Sequence, residues 1–129
     1  MPASFSDFAR EELVKYIFTT ESLATRPTTW FVALALPGGD EVSGTEDPEY
    51  ARQAVTFEDY SVTGRRRNVA EVNFDPAGTN ADYTVRFWEI WTAASGGSRI
   101  LTKRLVFDRP LLEGQAIQFG AGDLIVGAD

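Results

Sequence analysis

The 129-residue chain contains no cysteine and no histidine, and only two of its twelve basic residues, Lys15 and Lys103, are lysines. Without cysteine there is no disulfide framework, no thiolate nucleophile and no thiolate metal ligand. Without histidine the commonest general base and the commonest metal ligand are both missing. A Ser-His-Asp triad cannot be built from this chain alone, and neither lysine sits in an S-x-x-K setting. Neither Gly38-Gly39 nor Gly120-Ala121-Gly122 has the spacing of a phosphate-cradling loop, and both read as turns. No run reaches the roughly 18 apolar residues needed to span a bilayer. Asp7, Glu11 and Glu12 near the N-terminus do not suit a secretory signal, so the expectation is a protein made and used from the cytosol.

A hydrophobic fraction of 43% and an aromatic fraction of 12% are enough for a real core, and the length suits one domain over residues 1–129. The net charge of −7 repels nucleic-acid phosphate and anionic lipid, so neither nucleic acid nor membrane is an expected partner. Arg65-Arg66-Arg67 is the one basic run. A basic set made almost wholly of arginine, with its planar forked donors, leans towards a protein that packs against other proteins.

Residues 4–19 read as one amphipathic helix. Phe5, Phe8, Ala9, Leu13, Tyr16 and Ile17 recur at three- and four-residue steps, and Ser4 with Asp7 forms an S-x-x-D start. Such a helix covers one face or end of a sheet. The alternative is an arm that docks on a neighbouring subunit, with Phe5 and Phe8 as binding residues. From about residue 28 to 129 the pattern is that of strands. Expected strands run over Thr28–Leu36, Ala51–Tyr60, Asn68–Phe74, Tyr83–Thr92, Arg99–Phe107, Gln115–Phe119 and Leu124–Val126, separated by turns rich in Gly, Pro, Asp and Ser. The fold class is therefore mainly β: an antiparallel β-sandwich or barrel-like domain with one N-terminal amphipathic helix.

Four places invite a chemical reading. Glu89 sits among aromatic and aliphatic residues, and reads as an exposed or arginine-paired strand residue with Arg86 or Arg99 as partner. The acidic stretch Asp40–Asp47 lacks the register of a calcium loop and reads as solvated surface. Phe87, Trp88 and Trp91 form either core or a sugar-stacking face; alternation sends Phe87 and Trp88 to opposite sides, as in a central strand covered twice. Arg65, Arg66 and Arg67 fall at an expected hairpin end. They read either as a charged tip or as an anchor for an acidic surface such as 40–49 on a neighbour.

Several segments, in the same order and spanning nearly the whole chain, are similar to those of one family. They are the opening Ser4-Phe5-Ser6-Asp7-Phe8, the strand Trp30-Phe31-Val32-Ala33-Leu34, the stretch Glu49-Tyr50-Ala51-Arg52-Gln53-Ala54-Val55-Thr56-Phe57, the hairpin Ile90-Trp91-Thr92-Ala93-Ala94-Ser95-Gly96-Gly97, and the ending Gly114-Gln115-Ala116-Ile117-Gln118-Phe119-Gly120-Ala121-Gly122-Asp123-Leu124. With these the chain resembles small bacteriophage virion structural proteins labelled tail-fibre or head-decoration (capsid cement) proteins. It departs from them in Asp82-Tyr83, where they carry Trp-Gly, and in Thr92, where they carry Asp.

The resemblance implies a non-catalytic part of the virion, made in the host cytoplasm, with no catalytic residues and no cofactor. The expected role is a decoration protein bound to the major capsid protein as a homo-oligomer, with a tail or tail-fibre component as the alternative. A small carbohydrate-binding module is the rival from another class. The residues expected to meet partners are Arg65, Arg66, Arg67, Phe5 and Phe8.

Overall fold

The computed structural model describes residues 4–59 and 64–127. Its main sheet has five antiparallel strands in the order β1-β8-β7-β2-β3, built from β1 (Ser4–Phe5), β2 (Trp30–Ala35), β3 (Gln53–Val55), β7 (Asp82–Trp91) and β8 (Arg99–Leu112). A second sheet, β10-β5-β4, joins β4 (Phe57–Asp59), β5 (Arg65–Asn68) and β10 (Ile125–Gly127), and a third pairs β6 (Val72–Asn73) with β9 (Gln118–Phe119). The sheets enclose one core whose members include Leu34, Val85, Trp88, Leu101, Ile117 and Leu124. The expected antiparallel β architecture is borne out, as separate open sheets rather than a closed barrel.

β7 is the centre of the main sheet, hydrogen-bonded to β2 on one side and β8 on the other. Its tail Trp88-Glu89-Ile90 is buried at every position, which is why its residues are bulky on both faces. The β7–β8 hairpin is irregular. Val85 pairs with Arg109 and Phe87 with Arg104, so four residues, Leu105 to Asp108, face Arg86 alone. Such a bulge bends the strand and pushes residues out of the ladder. Here it leaves Val106 and Phe107 in solvent, pinned by two Arg86–Asp108 hydrogen bonds of 3.1 and 2.8 Å.

Several expectations need correction, among them the single strand over Asn68–Phe74, which is split between the end of β5 and β6. The stretch 51–60 is not one strand: Thr56 is a corner at which the chain leaves the main sheet at Val55 and enters the second sheet at Phe57. The arginines Arg65–Arg67 are not a tip but a strand, held by β4 on one side and β10 on the other. That packing needs glycine at Gly127, where φ is +143° and a Cβ would collide with the Gly64 carbonyl oxygen.

The N-terminal helix, α1, spans Asp7–Phe18 and is capped by Ser6, whose hydroxyl accepts from the Ala9 amide at 3.1 Å. Ser4 and Phe5, expected as its first residues, instead pair with Thr102 and Leu101 of β8, and the Ser6 amide donates to the Ile100 carbonyl at 2.8 Å. An extended S-F-S lead tied to a strand leaves the helix free to start only at residue 7. No residue of α1 is buried, so the single apolar stripe expected to face the sheet does not do so as a unit. Phe5 packs on the core, and Phe8 and Ala9 are half-buried, whereas Leu13, Tyr16 and Ile17 are exposed. No helix among the described residues is long and apolar enough to cross a membrane.

Candidate functional site

A dense polar cluster lies where the loop after β2 meets the β7–β8 hairpin. Arg52, just before β3, has a side chain only 7% exposed. Its Nε and Nη2 donate to the two carboxylate oxygens of Glu41 at 2.9 and 2.8 Å, a bidentate fork. Its Nη1 donates to the carbonyls of Ala93 and Gly96, both at 2.8 Å, and its guanidinium lies 4.0 Å from the centre of the Trp91 ring. The Tyr50 hydroxyl donates to Glu41 at 2.7 Å and accepts from the Leu34 amide at 3.1 Å, while its ring stacks on Phe74. Burial pushes the Glu41 carboxyl up, but the hydrogen bonds from Arg52 and Tyr50 and the charge of Arg52 outweigh it and hold Glu41 below the ordinary range. Burial and the bond to Glu41 raise the Tyr50 phenol well above its usual value. Every polar atom of Arg52 thus has a protein partner, and the hollow of about 400 Å³ beside it is a joint between segments.

The loop 40–49 is less open than its composition suggests. Val42 and Asp47 are each 2% exposed. One oxygen of Asp47 accepts from the Glu49 and Gly78 amides, both at 2.9 Å, and the other accepts from the Tyr83 hydroxyl at 2.9 Å. Glu46 accepts from the Ser43 amide at 2.8 Å. The carboxylates of Glu46 and Asp47 are met by backbone and hydroxyl donors, and no cluster able to hold a metal forms among the described residues.

Glu89 is 2% exposed, more deeply set than expected, and is paired with Arg99, as expected for one of its two candidate partners. Its oxygens accept from Trp91 Nε1 at 3.1 Å and Arg99 Nη1 at 3.2 Å. Arg86, the other candidate, pairs with Asp108. Burial raises the Glu89 carboxyl above its ordinary value, partly offset by Trp91 and Arg99. Trp88 is 4% exposed, and one face of the Trp91 ring is covered by Arg52.

Of the expected partner-binding residues, Arg66 and Arg67 pair within their own hairpin, with Asp59 at 3.6 Å and Glu58 at 3.1 Å. Arg65 opens the same strand opposite Gly127. Phe5 and Phe8 lie on the other side of a shared apolar surface made of two adjoining grooves. One, of about 510 Å³, runs between Phe5, Trp30, Phe57, Ile100, Leu101 and Val126; the other, of about 390 Å³, lies between α1 and the segment 23–27. Phe5, Trp30 and Ile100 belong to both. Arg66 lines the first groove, so the structure brings Phe5 and Arg66 to one surface and leaves Phe8 to the neighbouring one. Sequence reasoning missed Arg52, Tyr50 and Asp47, which organise the polar joint.

The described surface thus combines two adjoining apolar grooves with a helix that has no buried residue. Comparison with known families gives the class: bacteriophage virion structural proteins of the tail-fibre type. The family model that matches, over residues 4–127, is described as Podophage GP4 fiber I protein gp80, and the chain belongs to that family. A search of the curated proteins returned no match.

Proposed function

We propose that the chain is a non-catalytic component of the phage tail fibre, working as a packing unit between neighbouring virion proteins. The observation that carries this reading is the match over residues 4–127 to a family described as a fibre protein. The fibre reading is preferred over capsid decoration because nothing in that description points to the head. An association with the major capsid protein has no support of its own beyond the original resemblance.

Absence of catalysis is part of the same proposal. It is supported by the use made of the acids: Glu41, Asp47 and Glu89 are each held by two or more donors, with no free carboxylate facing a cleft in that group. The apolar grooves beside Phe5 and the exposed tip Val106–Phe107 are surfaces for protein contact. Immunogold labelling of intact particles tests the location. Label along the tail appendages is expected; label spread over the head would overturn the fibre reading and restore the cement reading.

A further inference from the structure

Helix α1 is attached to the domain by one side and carries a second apolar arc that is exposed. At 100° per residue, the half-buried Phe8, Ala9, Glu12 and Lys15 occupy one arc of about 120°. Glu12 accepts from the Ala24 amide at 3.0 Å, which fixes that arc towards the segment 23–27. The adjoining arc of about 140° carries Leu13, at the rim of the groove beside the segment 23–27, and then Val14, Ile17 and Phe18, the four being exposed at 55, 50, 56 and 76%. Amphipathic helices ordinarily turn the apolar stripe inwards. Here Leu13–Ile17 and Val14–Phe18 form two i,i+4 apolar pairs that face solvent.

We propose that this stripe is a self-pairing face, and that two copies of the chain dock through α1 in antiparallel orientation about a two-fold axis. Two quantities select a second copy as occupant. The first is area. The exposed parts of the four residues amount to on the order of 500 Å² per copy, so a symmetric pair that covered them fully would bury about 1,000 Å², the lower bound for a specific interface.

The second is charge. Arg10 is the exposed cation at the N-terminal end of the stripe, and Glu21 follows its C-terminal end, three residues beyond Phe18. With the two-fold axis through the middle of the stripe, Leu13 meets Phe18 of the second copy, Val14 meets Ile17, and Arg10 comes beside the helix end that carries Glu21. The same arrangement opposes the two helix dipoles, bringing each Arg10 to a negative helix end. A parallel pair sets Arg10 against Arg10 and aligns the dipoles. The cis pair of Arg10 with Asp7, at 3.3 Å, is solvent-exposed and yields readily to a better partner. An isologous contact of this kind closes on itself, and it is a property of the isolated chain, independent of where in the particle the chain sits.

Sedimentation equilibrium of the full chain over a concentration series tests the pairing. A reversible dimer is expected. Ile17→Glu is expected to raise its dissociation constant at least about tenfold while circular dichroism and thermal unfolding of the monomer stay unchanged. Should Ile17→Glu fail to fold, Arg10→Glu at a surface position carries the test: it weakens the dimer, and the double variant Arg10→Glu/Glu21→Arg restores it. A chain that stays monomeric throughout, or a dimer indifferent to Ile17→Glu, overturns the proposal. Failure of the double reversal to restore pairing overturns the antiparallel register. A monomer whose Ile17→Glu variant no longer enters particles makes another virion protein the occupant and also overturns self-pairing.

Discussion

Replacing Arg52 with Ala removes five interactions at once: both arms of the fork to Glu41, the bonds to the Ala93 and Gly96 carbonyls, and the cover on Trp91. What remains matters more than what is lost. Glu41 keeps only the Tyr50 hydroxyl, and its side chain is 23% exposed, so water reaches it but does not solvate it fully. Breaking one side of a buried pair costs about 3–5 kcal/mol, and partial exposure of Glu41 brings the expectation to about 3 kcal/mol. In a domain of this size that is a fall in Tm of roughly 10 °C.

The sign of the pH effect follows from Glu41. Its folded pKa lies below the ordinary 4.5, so its contribution is present above that value and is lost as pH falls through the lower, folded one. Arg52→Ala flattens this acid-side slope. Urea unfolding followed by tryptophan fluorescence reads both quantities, because Trp91 lies under the guanidinium. The double variant Glu41→Gln/Arg52→Met closes the cycle and should recover much of the loss, since an uncharged pair leaves no stranded carboxylate. A loss below about 1 kcal/mol, or strictly additive single variants, would refute the view of this cluster as a coupled joint.

Glu89→Gln should leave particle assembly and any associated activity unchanged; loss of a hydrolytic activity with the fold intact would overturn the non-catalytic reading. Because Glu89 has a raised folded pKa, the native state alone holds its proton from the ordinary 4.5 up to the raised value, and this part of the stability declines as pH rises through that window. Denaturation at several pH values should show the decline flattened in the Gln variant. Asn68→Ala should cost about 2–4 kcal/mol in the same assay, since Asn68 is wholly buried and bonds the Ala70 and Gly120 carbonyls and the Leu124 amide; a cost under half of that would show water replacing it. Replacing Arg65, Arg66 and Arg67 with Ser should change the isolated fold little, because the pairs of Arg66 and Arg67 are solvent-exposed. Reduced and less salt-sensitive incorporation into particles is expected; incorporation with unchanged salt dependence would remove these residues from the interface.

Much of the fold was legible because alternation and turn chemistry are local signals. β7 was expected over 83–92 and runs over 82–91, and β2 lies inside its expected span. What failed was set by distant pairing. Nothing local to Thr56 announces that the chain changes sheets there. A run of three arginines looks like a solvent tip until Glu58 and Asp59 are set against Arg67 and Arg66 across the hairpin. That opposition of two acids and two bases was the available signal. The polar joint was less legible still. Arg52 reaches Ala93 and Gly96 more than forty positions away, and Asp47 reaches Tyr83 across 36, so neither leaves a mark at any fixed spacing. Their acids were counted as surface because composition reports charge, not the donors that meet it.

The helix shows a different limit. Periodicity predicted a helix with an apolar side over residues 4–19, of which 7–18 is helical, and it does so whichever way that side points. Orientation was decided by the flanks: β1 fastens the chain to β8 on one side of Ser6, and Glu12 is fastened to the Ala24 amide on the other. These polar anchors turn Leu13, Val14, Ile17 and Phe18 outwards. Keeping four apolar side chains in water costs an isolated domain solubility without adding to its core. In a chain whose family is defined by its place in a particle, the same four residues are free to contribute on assembly, which is where their burial counts. The core still rests on apolar burial, with Asp47, Asn68 and Glu89 as its buried polar members, while the stripe of α1 adds nothing to that core.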